Sequence, residues 1–86
     1  MVRFSYDTDV SALYITLRDG DVARTRSLDD SAILDLDAAG NLLGIEVLNP
    51  GSGWPLTGIL RQYEIAGDDA EMLMACYPNS YMVSVA

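Results

Sequence analysis

Residues Ser31 to Leu48 carry two apolar, alternating runs on either side of Asp37-Ala38-Ala39-Gly40-Asn41. Gly40 can take the positive φ that a tight reversal needs, so the stretch predicts a β-hairpin. Strand side chains alternate between faces, which gathers Ala32, Leu34 and Leu36 on one side and sets Leu43, Ile45 and Val47 beside them. A four-residue connection keeps both sets in one layer. A three-residue loop sets Asp35 against Leu43 and costs the burial of a charge, so the four-residue loop is expected.

The first third of the chain follows the same period. Val2, Phe4 and Tyr6 alternate with Arg3 and Ser5, and Leu13, Ile15 and Leu17 alternate with Tyr14 and Thr16. Between them, Asp7 and Asp9 suit a turn because their side chains accept from nearby backbone amides. Pairing Val2 with Ile15 and Phe4 with Leu13 joins the apolar sets. Asp19-Gly20-Asp21 reads as the next hairpin turn. Val22 to Leu28 is a weaker strand whose Arg24 and Arg26 suit an edge, where charge blocks unwanted strand addition.

The pattern changes at Asn49-Pro50-Gly51-Ser52-Gly53, a connector running to Trp54. Pro55 suits a first helical turn, and Leu56, Ile59, Leu60 and Tyr63 recur at helical spacing, with Gly67 as the stop. Asp68 or Asp69 caps a second helix holding Met72, Leu73 and Cys76, and Pro78 ends it. Ser80 to Val85 alternates as a final strand, in its own sheet or exchanged with a neighbour's. The expected fold is α+β in a single domain, residues 1–86. An antiparallel β-meander of about five strands over 2–48 is covered on one face by one or two C-terminal helices from 55–86, with a possible extra C-terminal strand.

Composition narrows the chemistry. Five arginines and no lysine stand against thirteen acids, a net charge of −8. Phosphate backbones and anionic lipid repel such a chain, so neither nucleic acid nor membrane is an expected partner, whereas a basic protein is. Histidine is absent, which removes His general bases and the usual zinc sites; the lone Cys76 permits no internal disulfide. Half of the residues are hydrophobic, more than a small core absorbs, so a homodimer is expected. With no apolar signal core and no span of membrane length, the expected location is cytoplasmic.

Tyr6-Asp7-Thr8-Asp9-Val10-Ser11-Ala12-Leu13-Tyr14-Ile15-Thr16-Leu17, followed by Asp35-Leu36-Asp37-Ala38-Ala39-Gly40-Asn41-Leu42-Leu43-Gly44-Ile45-Glu46, resembles the domain of unknown function 2283 family of short, mostly bacterial proteins. The shared pattern is a tyrosine-aspartate turn, an alanine-leucine-tyrosine strand and a DLD-x-x-G-x-L-x-G-I-E hairpin, over about residues 2–48. For function, the resemblance implies at most the antitoxin half of a two-gene toxin module, and it carries over no catalytic residue. Ser11 departs from the acidic residue many members have there. The segment from Trp54 onward lies outside the shared part.

Three constellations remain. Asp35, Asp37, Gly40 and Glu46 sit at positions one, three, six and twelve of a calcium-loop spacing, but Ala39 and Leu43 leave positions five and nine without ligands and strands flank the loop, so no metal or cofactor is expected. Asp7, Asp9, Asp19, Asp21, Asp29 and Asp30 crowd turns, where Asp is common for backbone reasons; acid–base work would need burial to separate their pKa values. Trp54, Tyr63, Tyr77 and Tyr81 are candidate partner-binding aromatics, and equally good core residues. The expected function is a non-enzymatic acidic protein-binding module, antitoxin-like. The alternative is a small-molecule-binding or carboxylate-based enzyme acting at a dimer interface.

Overall fold

The computed structural model describes residues 2–9, 12–28, 30–48 and 54–75. Strands β1 (Arg3–Asp7), β2 (Ala12–Thr16), β3 (Arg24–Leu28), β4 (Ala32–Leu36) and β5 (Leu42–Leu48) precede helices α1 (Leu56–Gln62) and α2 (Gly67–Ala75). The strands form one antiparallel sheet and the helices follow it, so the α+β class holds. The order within the sheet is not that of a meander. It runs β1-β2-β5-β4-β3, with β5 inserted between β2 and β4.

The composition of β3 explains this insertion. Arg24, Thr25, Arg26 and Ser27 offer β2 no apolar partners, whereas β5 supplies Ile45 opposite Ile15 and Val47 opposite Leu13. Asp19-Gly20 therefore closes no hairpin. Residues 17–23 pass instead across the end of the β4–β5 hairpin, where Leu17 and Arg18 amides donate to the Leu43 carbonyl (2.8 and 3.3 Å) and Ala23 N donates to the Leu36 carbonyl (2.8 Å). β3 ends at the sheet edge that its charges suit.

Two registers differ from expectation in instructive ways. In the first hairpin Phe4 faces Ile15 and Tyr6 faces Leu13, two residues along from the expected pairing. A shift of two keeps every side chain on its face, and it is fixed by a tight turn in which Asp9 N donates to Asp7 Oδ1 at 2.9 Å. In the main hairpin, Ala32, Leu34 and Asp35 face Val47, Ile45 and Gly44, as a four-residue loop requires, but Leu36 faces Leu42. The reversal itself closes as a three-residue turn: Asp37 N donates to the Asn41 carbonyl and Gly40 N to the Asp37 carbonyl, with Gly40 at φ 90°. A bulge absorbs the difference. Leu43 leaves the core row, Leu42 takes its place, and Leu43 is buried against Gly20 instead.

The core joins β2, β5 and β4 to the helices through Ile15, Leu34, Ile45, Val47, Ile59 and Leu73, all essentially inaccessible to water. α1 buries Leu56 and Ile59, and α2 buries Leu73. Among the described residues no helix is long and apolar enough to cross a membrane. Cys76, Pro78 and the expected strand Ser80–Val85 lie outside the described residues.

Helix α1 stops earlier than Gly67. Ile65 N donates to the Leu60 carbonyl and Glu64 N to the Arg61 carbonyl, the paired bonds of a Schellman terminus, and Gly67 opens α2 instead. The left-handed position of that terminus is held by Glu64 at φ 52°, where a Cβ is disfavoured. Leu60 and Ile65 both pack on the core and hold the terminus in place. Replacing Glu64→Gly is expected to raise Tm by about 4–8 °C, whereas Glu64→Ala, which keeps the Cβ, gains little; thermal melts of the three proteins check this.

Candidate functional site

The sheet face away from the helices carries the polar half of each strand's alternation. Tyr14 on β2 lies opposite Glu46 on β5, and Asp35 on β4 lies opposite Gly44 on β5. Tyr14 reaches across β5 and donates from its hydroxyl to Asp35 Oδ2 at 2.6 Å. The ring passes directly over Gly44: a Cβ there would collide with the phenol and crowd the Ile15 carbonyl. Glycine at this point of the strand therefore serves close approach, not flexibility. Three strands are fastened by one side chain.

Burial, the hydrogen bond to Asp35 and the negative charges of Asp35 and Glu46 together push the Tyr14 phenol up to about 12. It stays a neutral donor throughout the physiological range and cannot serve as a base there. Of the calcium-spaced residues, Asp37 is committed to backbone. Asp37 Oδ1 accepts from the amides of Ala39 (2.9 Å) and Asn41 (2.8 Å), while Oδ2 accepts from the Asn41 side chain (3.1 Å). These bonds, the Asn41 amide first, hold the Asp37 carboxyl below its ordinary range. Asp37 thus organises the turn, while Asp35 is bound to Tyr14 across the sheet. Among the described residues no group of three or more His, Cys, Asp or Glu is placed to hold a metal ion.

Elsewhere, Arg3 Nη2 donates to Asp19 Oδ1 at 2.9 Å and lowers that carboxyl. Trp54 is 4% exposed, packed in the core with Leu56 and Ile59. Tyr63 is half-buried, and Arg26 Nη1 donates to its hydroxyl across a long 3.4 Å. Tyr77 and Tyr81 lie outside the described residues. A cleft of about 500 Å³ opens where the β4–β5 turn meets the α1–α2 junction, between Arg18, Asn41, Tyr63, Glu64 and Asp69. The sequence reading missed both this cleft and the Tyr14 clasp. An isolated glycine inside a strand, Gly44, was the available signal for the second.

A small α+β protein with a five-stranded antiparallel sheet, clasped on its open face, is thus defined. The family model described as "Protein of unknown function (DUF2283)" matches residues 3–49, more than half of the chain, and the chain belongs to that family. The match spans the sheet and contains Tyr14, Asp35, Gly44 and Glu46. Comparisons with curated proteins and with solved structures find no match.

Tyr14→Phe removes a hydrogen bond to a charged acceptor and is expected to cost about 1–3 kcal/mol in urea unfolding at pH 7. The folded pKa lies above the ordinary tyrosine value, so the stabilisation from Tyr14 is complete below pH 10 and is lost as pH rises from 10 towards about 12. The stability gap between wild type and Tyr14→Phe should accordingly narrow across that interval. Gly44→Ala should destabilise the wild type by displacing the ring, and do so less in a Tyr14→Ala background, as a double-mutant cycle would show.

Proposed function

We propose that the chain is a non-enzymatic, acidic protein-binding module, antitoxin-like, that receives a basic protein partner on α2 in the bacterial cytoplasm. The observation that carries this reading is the surface of α2. Leu73 is its one buried side chain among the described residues, and Met72 and Met74 flank it at 42% and 57% exposure. At about 100° per residue they form two soft apolar shoulders. Asp68, Glu71 and Ala75 occupy the outer side between them, all exposed. Apolar shoulders beside an acidic ridge suit a partner with basic groups around an apolar centre, and the net charge of −8 steers such a partner in.

The carboxylates favour this reading over acid–base chemistry. A general acid needs a raised pKa, yet among the described residues the two carboxyls that shift, Asp19 and Asp37, both move down. Among the described residues most of the remaining acids are exposed, which deprives them of the burial that acid–base work needs.

The test is co-purification with the protein encoded beside this one, at low and high salt, together with growth when that protein is expressed alone or with this chain. The expected result is a complex that weakens with salt and growth that is restored by co-expression. The double substitution Met72→Glu and Met74→Glu should weaken the complex at least about tenfold without altering the fold. A neighbouring product that lacks excess Lys and Arg, or a complex indifferent to both substitutions, overturns the reading.

A further inference from the structure

The two edges of the sheet are built differently. β3 presents Arg24 and Arg26 towards the helical side, opposite Leu36 and Leu34. Were two β3 edges to pair antiparallel about Arg26, that arginine would face its own copy, and the like charges would oppose the contact. β1 carries no such guard. Its Phe4 and Tyr6 lie on the helical side, opposite Ile15 and Leu13, yet remain 40% and 54% exposed, because the core row takes its side chains from the neighbouring strands.

We propose that β1 is a homodimer seam, in which two copies pair antiparallel about a two-fold axis at Ser5 and join their sheets into one of ten strands. The sequence Arg3-Phe4-Ser5-Tyr6-Asp7 is self-complementary in this register. Arg3 meets Asp7 of the second copy twice, Phe4 meets Tyr6 twice, and Ser5 meets itself. The aromatic pairs lie on the helical side and the ion pairs on the open side, as the alternation requires. Moving the axis by one residue along β1 puts Phe4 or Tyr6 against its own copy and breaks both ion pairs. Moving it by half a residue sets aromatic side chains against polar ones on the wrong face. The strand itself is electrically neutral within a chain of net charge −8; Arg3 already meets Asp19 of its own chain through Nη2, so Asp7 of the second copy meets the remaining donors of that guanidinium, Nη1 and Nε, with Asp19 beside it. An isologous contact of this kind closes on itself and leaves the two β3 edges, with their arginines, outermost. The proposal is independent of the partner surface on α2.

Sedimentation equilibrium of the full chain tests it, with circular dichroism confirming that each variant folds. The wild type is expected to sediment at twice 9.3 kDa. Arg3→Asp places acid against acid across the seam, and Asp7→Arg places base against base, so each variant alone should dimerise at least about tenfold more weakly. Mixed in equal amounts, the two single variants again have opposite charges at both positions, and the dimer should return as a heterodimer. With Asp19→Asn added to remove the partner that Arg3 has within its own chain, the double variant Arg3→Asp, Asp7→Arg should dimerise with itself to within about threefold of Asp19→Asn alone. A wild-type chain that stays monomeric at about 100 μM overturns the proposal and leaves this face to another occupant, the chain's own C-terminal segment or a different protein. A dimer that both single variants leave intact, or a mixture that stays monomeric, overturns it as well.

Discussion

Two requirements meet at Leu43 and cannot both be satisfied by a regular ladder. The reversal at Asp37 to Asn41 closes as a three-residue turn, because Asp37 organises the amides and Gly40 supplies the left-handed residue. Continued regularly, that turn would set Asp35 opposite Leu43 and tilt a carboxylate towards the core row. Letting one residue step out of the ladder removes the conflict: beyond the bulge, Asp35 faces Gly44 and Leu34 faces Ile45. The apolar layer beneath the helices and the Tyr14 clasp on the other face both follow from that one insertion. Tyr14 can reach Asp35 only where the strand between them has no side chain in the way, and the bulge is what brings Gly44 to that place.

The sheet order follows from how apolar side chains are distributed among strands. β2 and β5 each bring a row that needs a partner on both sides, and β3 brings none until Leu28. The order β1-β2-β5-β4-β3 places the two richest strands and β4 in the middle, beneath Leu56, Ile59 and Leu73. What remains at the edges is then unequal. Arginine marks one edge, and a pair of aromatics lies uncovered on the other.

Local patterns were legible and long-range adjacency was not. The period-two rows of β1, β2, β4 and β5, the edge character of β3 and two C-terminal helices all follow from residues within a few positions of one another. The place of β5 depends on which distant row satisfies β2, a choice that neighbouring residues do not encode. The Asp19-Gly20 cue was therefore misleading: its turn chemistry is real, yet there is no suitable strand beside β2 for it to deliver. Gly67 misled in the same manner. A glycine is the usual helix stop, but Leu60 and Ile65 anchor the terminus strongly enough to hold Glu64 in the position a glycine would fill. The clasp lay beyond sequence reading because Tyr14, Gly44 and Asp35 meet only once three strands are side by side.

The placement of the acids bears on what a chain of this composition can do. Asp7 and Asp37 accept backbone amides at turns, Asp19 takes an arginine, and Asp35 takes a phenol. Each of these acids accepts from a donor that also fixes a local piece of the fold, and for Asp19 and Asp37 those bonds lower the carboxyl. The net negative charge of the chain also acts at a distance. A long-range negative field with apolar side chains exposed beside it is chemistry suited to attracting and holding another protein, since the field accelerates encounter and the apolar contact sets how long it lasts. Part of the acidity thus follows from the turns, where Asp7 and Asp37 hold backbone amides, and on the proposed reading the rest of it serves recognition.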